Sequence, residues 1–403
     1  MLPNISSNDV RRRTLVRSAI GAALLVSAGA CQVATASPPK ANSAWVYDVL
    51  NRPGKERTFK PGLFAKDIND YNSLAKSDSK ISSIYSYFGS MELYCPGQGT
   101  AYCPISKMIL SEASGAGERK PGAPRSETLS RYHQDIDASE QHPTTVEAVI
   151  DGVVNAHYAG SLRGFNELSQ SAAEAFADKI TERVCSDPDI DGVQFDLEPF
   201  NVNKQNGQYF FYKRIANNFA AATDAGKDCA NEDHPTGRYF SVFAAARHLQ
   251  PGTPGAENLQ DIMHTQGNAY MIAPLYDLAA TPLGQQTGVA NYRQQVQTQT
   301  AQLAQWANEA QVYYKFGVPA AASVHEFAGC NGKACRQVAT ESISQLDYLN
   351  AAIEAINNSG ARGQLYYLGT AIWAWSQAIV HGGAQFSPAS PPADVIHYLQ
   401  QNL

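Results

Sequence analysis

Strand-like stretches alternate with helical patterns along this 403-residue chain, and this alternation limits the folds that it can adopt. Stretches rich in β-branched and aromatic residues predict eight strands, at residues 44–50, 81–89, 146–154, 190–200, 239–246, 269–278, 312–319 and 366–375. Amphipathic patterns predict helices at residues 165–184, 209–225, 292–310, 343–356 and 393–401, with a short helix after residue 246. Alternating strands and helices are typical of parallel βα units, and eight strands predict an α/β fold, a closed (β/α)8 TIM barrel.

An open, doubly wound α/β sheet is the alternative architecture. Such sheets usually carry a glycine-rich phosphate-binding loop after the first strand, and no such loop follows residues 44–50. Residues 90–143 are irregular and rich in glycine, proline, serine and charge, which predicts a long insertion loop after the second strand. We therefore expect a single barrel domain over residues 44–403.

The first 30 residues have the layout of an export signal peptide. A basic cluster precedes an apolar run at residues 19–30, which at 12 residues is too short to span a bilayer. Arg12 and Arg13 in the basic cluster resemble a twin-arginine export motif. Residues 1–30 are thus predicted to be an export signal and residues 31–43 a tether.

Cys31 directly follows the apolar run, in a context that resembles a lipobox, where the cysteine is acylated. Ordinary cleavage after Ala30 or after Ala36 is the alternative interpretation. The protein is expected outside the cytoplasm, either secreted, periplasmic, or attached to the outer membrane by a lipid anchor at Cys31.

Charge and residue motifs exclude several classes of partner. The formal net charge is −6, and removal of residues 1–30, with four arginines and Asp9, leaves −9. Such an acidic protein lacks the basic surface that binds phosphate backbones, so no nucleic acid partner is expected. No Cys-x-x-Cys or His-Glu-x-x-His pattern occurs, so neither a metal nor another cofactor is predicted. We expect a monomer.

The sequence has seven cysteines: Cys31, Cys95, Cys103, Cys185, Cys229, Cys330 and Cys335. Without Cys31 the number is six, and an even number in an exported protein predicts disulfides. Short spacing favours the pairs Cys95–Cys103 and Cys330–Cys335. Cys185 and Cys229 follow successive predicted helices, whose C-terminal ends are neighbours at the bottom face of a barrel, which supports their pairing.

The fourth predicted strand carries acidic residues where a strand is normally apolar. Its two-residue period places three polar side chains on one face: Gln194, Asp196 and Glu198. Carboxyls at positions i and i+2 lie roughly 6–7 Å apart, and desolvating them costs several kcal/mol. Each carboxyl therefore perturbs the pKa of the other, which is typical of a functional site. Glu198 ends its strand at the C-terminal face of the barrel, where (β/α)8-barrel enzymes carry their catalytic residues.

Residues 191–198, Asp-Gly-Val-Gln-Phe-Asp-Leu-Glu, resemble the Asp-Gly-x-x-x-Asp-x-Glu signature of family 18 glycoside hydrolases, the chitinase and endo-N-acetylglucosaminidase family. Tyr276-Asp277 after strand six resembles the Tyr-Asp pair of that family. Trp373 and Trp375 share a face at period two, and Trp375 resembles the tryptophan that floors the central sugar subsite. The chain departs from the family at Gln194, which is usually Asp or Asn, and at Ile150-Asp151-Gly152, which replaces Ser-x-Gly-Gly.

The resemblance implies an acid-catalysed, substrate-assisted cleavage of β-linked N-acetylhexosamine glycans of the chitin, N-glycan or peptidoglycan type. Glu198 would be the general acid with a raised pKa, and Asp196 would stabilise the 2-acetamido group that attacks the anomeric carbon. Tyr276 would support that group. The implied substrate-binding residues are those around it: Gln194, Asp277, Trp375 and Tyr87.

Two alternative functions remain open on the sequence alone. Glu198 and Glu326, which follows strand seven, resemble the acid and nucleophile of conventional retaining glycosidases with two carboxylates. Gln194 also allows a chitinase-like protein that binds sugar without cleaving it, because an amide cannot take up a proton.

Overall fold

The predicted strands all occur and close into a parallel barrel. In chain order the strands are β1 (Asn42–Tyr47), β2 (Val49–Leu50), β3 (Arg57–Thr58), β4 (Ile81–Leu93), β5 (Met108–Glu112), β6 (Thr145–Val153), β7 (Gly192–Glu198), β8 (Tyr239–Phe243), β9 (Ala269–Pro274), β10 (Tyr313–Pro319) and β11 (Tyr367–Ser376). The barrel order is β1-β4-β6-β7-β8-β9-β10-β11, and β11 pairs with β1 to close the cylinder. The (β/α)8 prediction is thereby confirmed.

The computed structural model describes residues 37–47, 49–50, 57–58, 61–95, 103–112, 126–136, 144–154, 161–219, 229–246, 249–276, 278, 289–321, 345–376 and 391–403. The helices in these ranges are α1 (Pro61–Leu74), α2 (Ser126–Asp135), α3 (Gln170–Cys185), α4 (Gly207–Phe219), α5 (Pro254–Met263), α6 (Val289–Glu309), α7 (Gln345–Asn358) and α8 (Ala393–Asn402). No helix within these ranges has the length and apolar composition that a membrane span requires. The predicted export signal, twin-arginine motif and Cys31 lie outside the described residues.

Local signals in the sequence explain where helices begin and which faces they bury. Ser169 caps α3 by accepting a hydrogen bond from the backbone nitrogen of Ala172 at 3.3 Å. Thr253 caps α5 in the same way, with Pro254 in the first turn. The main apolar core fills the layer between the strands and the helices, and a second buried cluster, which includes Trp45, Tyr85 and Tyr270, occupies the barrel interior.

The insertion after the second barrel strand contains regular structure that its composition does not predict. Strand β4 runs on to Leu93 and pairs antiparallel with β5, and helix α2 follows. Gly89 permits this close pairing, because a Cβ at its position would lie 2.5 Å from the backbone oxygen of Ser111. The prediction of an irregular loop over residues 90–143 was therefore wrong for these segments.

Two of the predicted disulfides are confirmed. Cys95 and Cys103 close a loop beyond the end of β4, with Cα atoms 5.7 Å apart. Cys185, at the end of α3, bonds to Cys229, with Cα atoms 4.8 Å apart. Disulfides are typical of proteins from oxidising compartments outside the cytoplasm. The predicted pair Cys330–Cys335 lies outside the described residues.

Candidate active site

Strand β7 directs its three polar side chains into the barrel, as its alternation predicts. The intervening residues Val193, Phe195 and Leu197 are buried in the outer core. Phe195 packs edge-on against Phe211 of α4, with ring centroids 5.4 Å apart. A shift of one residue would exchange the two faces, so this packing fixes the register that points Asp196 and Glu198 inward.

Gln194 forms part of the barrel floor and does not contact the cleft. Its side chain is 0% exposed. Trp45 donates its indole N–H to Gln194 Oε1 at 3.0 Å, and Gln194 Nε2 donates to the backbone oxygen of Phe195 at 2.8 Å. The predicted role of Gln194 in binding substrate is therefore wrong, because the amide is enclosed below the site and bonded at both ends.

Asp196 lies one alternation above this floor. Burial raises the pKa of its carboxyl well above the usual value, with further contributions from the negative charges of Glu198 and Asp151. Its Oδ1 atom is buried and has no hydrogen-bond partner among the described residues. A buried carboxyl oxygen of this kind is suited to bind a polar group of a ligand.

Glu198 ends β7 and its side chain is exposed at the mouth of the barrel. The backbone of this last residue is held by the neighbouring strand, because Val154 donates its N–H to the oxygen of Glu198 at 2.7 Å. The two β7 carboxyls thus differ in environment: one is enclosed, and the other faces solvent. Such a difference separates the roles of paired carboxyls in acid–base sites.

Asp151 is a site residue that the sequence interpretation did not select. It lies on β6 as the direct parallel partner of Asp196 on β7. Ser90 donates its hydroxyl to Asp151 Oδ1, and the hydroxyl of Tyr87 lies 3.5 Å from the same atom. Burial raises the pKa of Asp151 to about 6, against these hydrogen bonds, which lower it. The signal was present in Ile150-Asp151-Gly152, but only the strand register identifies the neighbour of Asp151.

Aromatic side chains surround the carboxyls, and we call this set the aromatic wall: Tyr47, Tyr87, Phe243, Tyr276 and Trp373. Tyr276 and Trp373 stack with centroids 5.6 Å apart, and Tyr47 stacks with Tyr87 at 6.5 Å. The indole of Trp373 donates to the hydroxyl of Tyr47 at 3.1 Å. The wall therefore links strands on both sides of β7 into one aromatic surface above the floor.

Tyr276 and Tyr87, two residues selected from the sequence, belong to the aromatic wall. Tyr276 is 8% exposed and packs beside Phe243 and Trp373. Gly317 on β10 leaves room for it, because a Cβ there would lie 3.3 Å from Tyr276 Cε1. Asp277 and Glu326, which the sequence also suggested, lie outside the described residues.

Trp375 does not belong to this site, contrary to the prediction. It is 2% exposed and packs edge-on against Tyr71 of α1, with centroids 5.8 Å apart. The cause is a bulge between Ala44–Val46 of β1 and Ile372–Trp375 of β11, where three residues oppose four. The extra residue reverses the alternation, so Trp373 faces the site and Trp375 faces the helices.

A charged pair fills the barrel below the site. Glu147 of β6 accepts hydrogen bonds from the hydroxyl of Tyr270 and, at 3.2 Å, from Ser241. Lys315 of β10 donates to Ser43 Oγ at 2.5 Å. Burial raises the pKa of Glu147 to about 7 and lowers that of Lys315 to about 8. The described residues include no cluster of His, Cys, Asp or Glu that could hold a metal ion.

Comparison with known proteins shows the fold. No protein-family model matches the sequence, and no curated protein matches it. XacCel5A, solved in complex with cellopentaose, is 12% identical, with a TM-score of 0.50 over 89% of this chain and 98% of its own. A GH18 chitinase from Pseudoalteromonas aurantia is 12% identical, with a TM-score of 0.43 over 83% and 94% of the two chains. The spore cortex-lytic enzyme SleL from Bacillus megaterium is 8% identical, with a TM-score of 0.45 over 84% and 71%. At this identity, the similarity to XacCel5A shows a shared barrel architecture alone.

Proposed function

We propose that the protein is an exported glycoside hydrolase that cleaves β-linked N-acetylhexosamine glycans, with Glu198 as the general acid. The observation that carries this proposal is the pair of inward carboxyls on β7, one enclosed and one at the barrel mouth, beside an aromatic wall. Glycosidic cleavage needs a proton donor at the leaving oxygen and a group that stabilises the cationic sugar. This arrangement supports Glu198 as the proton donor and Asp196 as the stabilising group.

The first step follows from the position of Glu198 at the open end of β7. Its protonated carboxyl gives a proton to the glycosidic oxygen as the bond to the anomeric carbon breaks. The 2-acetamido oxygen of the substrate attacks that carbon and forms an oxazolinium ion, which carries the positive charge that develops as the glycosidic bond breaks. A water molecule then attacks the same carbon, the bond from that carbon to the acetamido oxygen breaks, and the water gives a proton to Glu198. The 2-acetamido group is thereby restored, and two successive inversions retain the anomeric configuration.

Asp196 stabilises the acetamido group during this step. Its buried Oδ1, free of protein hydrogen bonds among the described residues, would accept the N–H of the acetamido group. The positive charge that develops on the oxazolinium ring strengthens this contact in the transition state. Tyr276 closes the pocket beside Trp373, where it would support the acetamido group from the aromatic wall.

Sugar stacking is assigned to Trp373 in place of Trp375. Aromatic rings offer a flat apolar face that matches the C–H face of a sugar ring. Trp373 faces the barrel interior, and its indole is oriented by the hydrogen bond to Tyr47. Tyr87, partly exposed on β4, lies on the other side of the carboxyls and would contact a neighbouring sugar.

Cleavage of β-linked glucans is the second candidate function, favoured by the fold shared with XacCel5A, which was solved with cellopentaose. In that case Glu198 would be the acid and Glu326 the nucleophile, as in retaining enzymes with two carboxylates. Asp196 would then have no direct role, although it is the enclosed carboxyl of the site.

The test is turnover of chitooligosaccharides, N-glycans, peptidoglycan and cello-oligosaccharides by the mature protein. Glu198→Gln should reduce kcat on N-acetylated substrates by about 100-fold or more, because the proton donor is lost. Glu232→Gln, at an exposed position away from the barrel mouth, is the matched control and should retain full activity. Equal turnover by the Glu198 variant would remove the catalytic assignment. Cleavage confined to cello-oligosaccharides would favour the second candidate.

A further inference from the structure

We infer that Asp151 is a positioning residue that shares one proton with Asp196 across the β6–β7 ladder. The role of Asp151 in turnover rests on the proposed function, because Asp151 would there set the protonation state of Asp196, the carboxyl that contacts the acetamido group. The pairing itself is a property of the free protein.

The strand register places the two carboxyls side by side. Asp151 and Asp196 are direct partners in the parallel ladder between β6 and β7. Adjacent strands lie about 4.8 Å apart, and both residues belong to the inward face of their strands. On β6 this face also carries Glu147, whose carboxylate contacts Tyr270 and Ser241 inside the barrel.

Two hydroxyl groups of β4 contact the Asp151 carboxyl. The β4–β6 pairing shifts between Tyr87 and Gly89, so that Ser90 is the strand partner of Asp151. The shift directs the Ser90 hydroxyl to Asp151 Oδ1, and Tyr87 bonds to Ser90 Oγ at 2.8 Å. Bulges of this kind re-aim side chains next to functional sites.

Gln194 cannot serve as the partner of Asp196. Its amide is bonded to Trp45 and to the backbone of Phe195, and an amide does not accept a proton. The titratable groups around the two carboxyls come from three strands: Tyr47 of β1, Tyr87 and Glu92 of β4, and Glu198 of β7. Glu198 is the larger source of negative charge at Asp196, but its side chain is exposed at the end of β7. Asp151 is the carboxyl on the ladder beside Asp196.

Asp151 and Asp196 are half-buried on adjacent strands, and the negative charge of Asp151 opposes ionisation of Asp196, so we assign one proton to the pair at neutral pH. When an acetamido N–H approaches Asp196, the O–H bond at Asp196 breaks and an O–H bond at Asp151 forms. Asp196 then faces the developing positive charge as a carboxylate, and the net charge of the pair is unchanged. Burial raises the pKa of both carboxyls above the ordinary value for aspartate, and the negative charges of Glu198 and Asp151 add to the rise at Asp196, which agrees with this assignment.

The decisive test is a titration of the free protein by 13C NMR with label at the aspartate carboxyls. Asp151→Asn should move the titration of Asp196 to lower pH, because a neighbouring negative charge is removed. Asp196→Asn should move the titration of Asp151 in the same direction. An unchanged Asp196 titration in the Asp151→Asn protein would overturn the inference.

Ser90→Ala supplies a second variant that keeps both carboxyls. Loss of the hydroxyl donor should move the Asp151 titration to higher pH, because that hydrogen bond favours the ionised form. If Asp151→Asn does not fold, this variant decides: an Asp196 titration that does not follow the shift of Asp151 would overturn proton sharing.

Turnover separates this inference from the proposed function. In an active enzyme, Asp151→Asn should lower kcat by about 100-fold, change KM little and displace the pH–rate profile. A purely structural residue would change stability and leave the profile in place. Coupled titrations without turnover of any N-acetylated glycan would remove the proposed function and keep the shared proton. Turnover of an N-acetylated glycan together with independent titrations of Asp151 and Asp196 would keep the proposed function and remove the shared proton.

Discussion

The two tryptophans of β11 face opposite sides of the barrel wall because of a one-residue bulge in the strand pairing. Trp373 and Trp375 would share a face in an even strand, and the bulge opposite Ala44–Val46 separates them. Trp373 stacks on Tyr276 in the aromatic wall, whereas Trp375 packs on Tyr71 beneath α1. The two residues should therefore differ in what their removal costs.

Trp373→Ala should weaken binding of chitooligosaccharides by about tenfold, since one aromatic stacking contact is worth about 0.5–1.5 kcal/mol. Trp375→Ala should leave affinity nearly unchanged and lower the free energy of unfolding by about 3–5 kcal/mol, because it opens a cavity in the core. Calorimetric titration and urea unfolding of both variants measure the two effects. Loss of affinity in the Trp375 variant with Trp373→Ala unaffected would contradict the assignment.

The site residues divide by the kind of information that locates them. Asp196 and Glu198 could be placed from the sequence, because a two-residue period and a strand end are local properties. Asp151 could not, since its importance depends on which residue of the next strand lies beside it. Gln194 was misassigned because burial within a barrel depends on the depth of a residue, which alternation along one strand does not give.

At the scale of elements, the long periodic segments were predictable and the short ones were not. All eight barrel strands and the helices α3, α4, α6, α7 and α8 follow from hydrophobic period. Strand β5 has five residues and exists through its antiparallel pairing with β4, a tertiary contact that composition does not encode. Helix α1 was overlooked, although Phe64, Ile68 and Tyr71 recur at helical spacing on its buried side.

The disulfide between Cys185 and Cys229 joins the end of α3 to a segment 44 residues later. In the loop-entropy model such a crosslink stabilises by about 4 kcal/mol, against about 2.5 kcal/mol for the 8-residue separation of Cys95 and Cys103. Replacing Cys185 and Cys229 by serine should lower the free energy of unfolding by about 2–4 kcal/mol and spare kcat, because the crosslink lies away from the β7 carboxyls.

Urea unfolding and initial rates at 25 °C measure both quantities for this pair of substitutions. The double serine variant of Cys95 and Cys103 is the control for loop length and should lose less stability. A larger loss in that control would show that loop closure does not set the contribution of either crosslink.

For the whole molecule, buried carboxyls make stability depend on pH. The folded pKa of Glu147 is raised to about 7, above its ordinary value of 4.5, and that of Asp151 is raised to about 6. The native state thus binds more protons than the unfolded chain in this interval. The free energy of unfolding should therefore fall as pH rises from about 4.5 to about 7.

Glu147→Gln should flatten this decline by an amount on the order of 2–3 kcal/mol, because its raised pKa no longer contributes. Urea unfolding at intervals between pH 4.5 and 8 gives the slope, and Glu232→Gln serves as the exposed control. Identical slopes in the native protein and the Glu147 variant would place the origin of the decline elsewhere.

The closed barrel also has a consequence for biosynthesis. Strand β1 pairs on one side with β4 and on the other with β11, whose first residue, Tyr367, lies 320 positions after Tyr47. While the ribosome is still making the intervening residues, one edge of β1 has no strand to pair with, and such an edge is prone to join another chain. The nascent chain therefore depends on a partner made near the end of translation, and a ribosome that stalls before β11 would release an aggregation-prone open sheet.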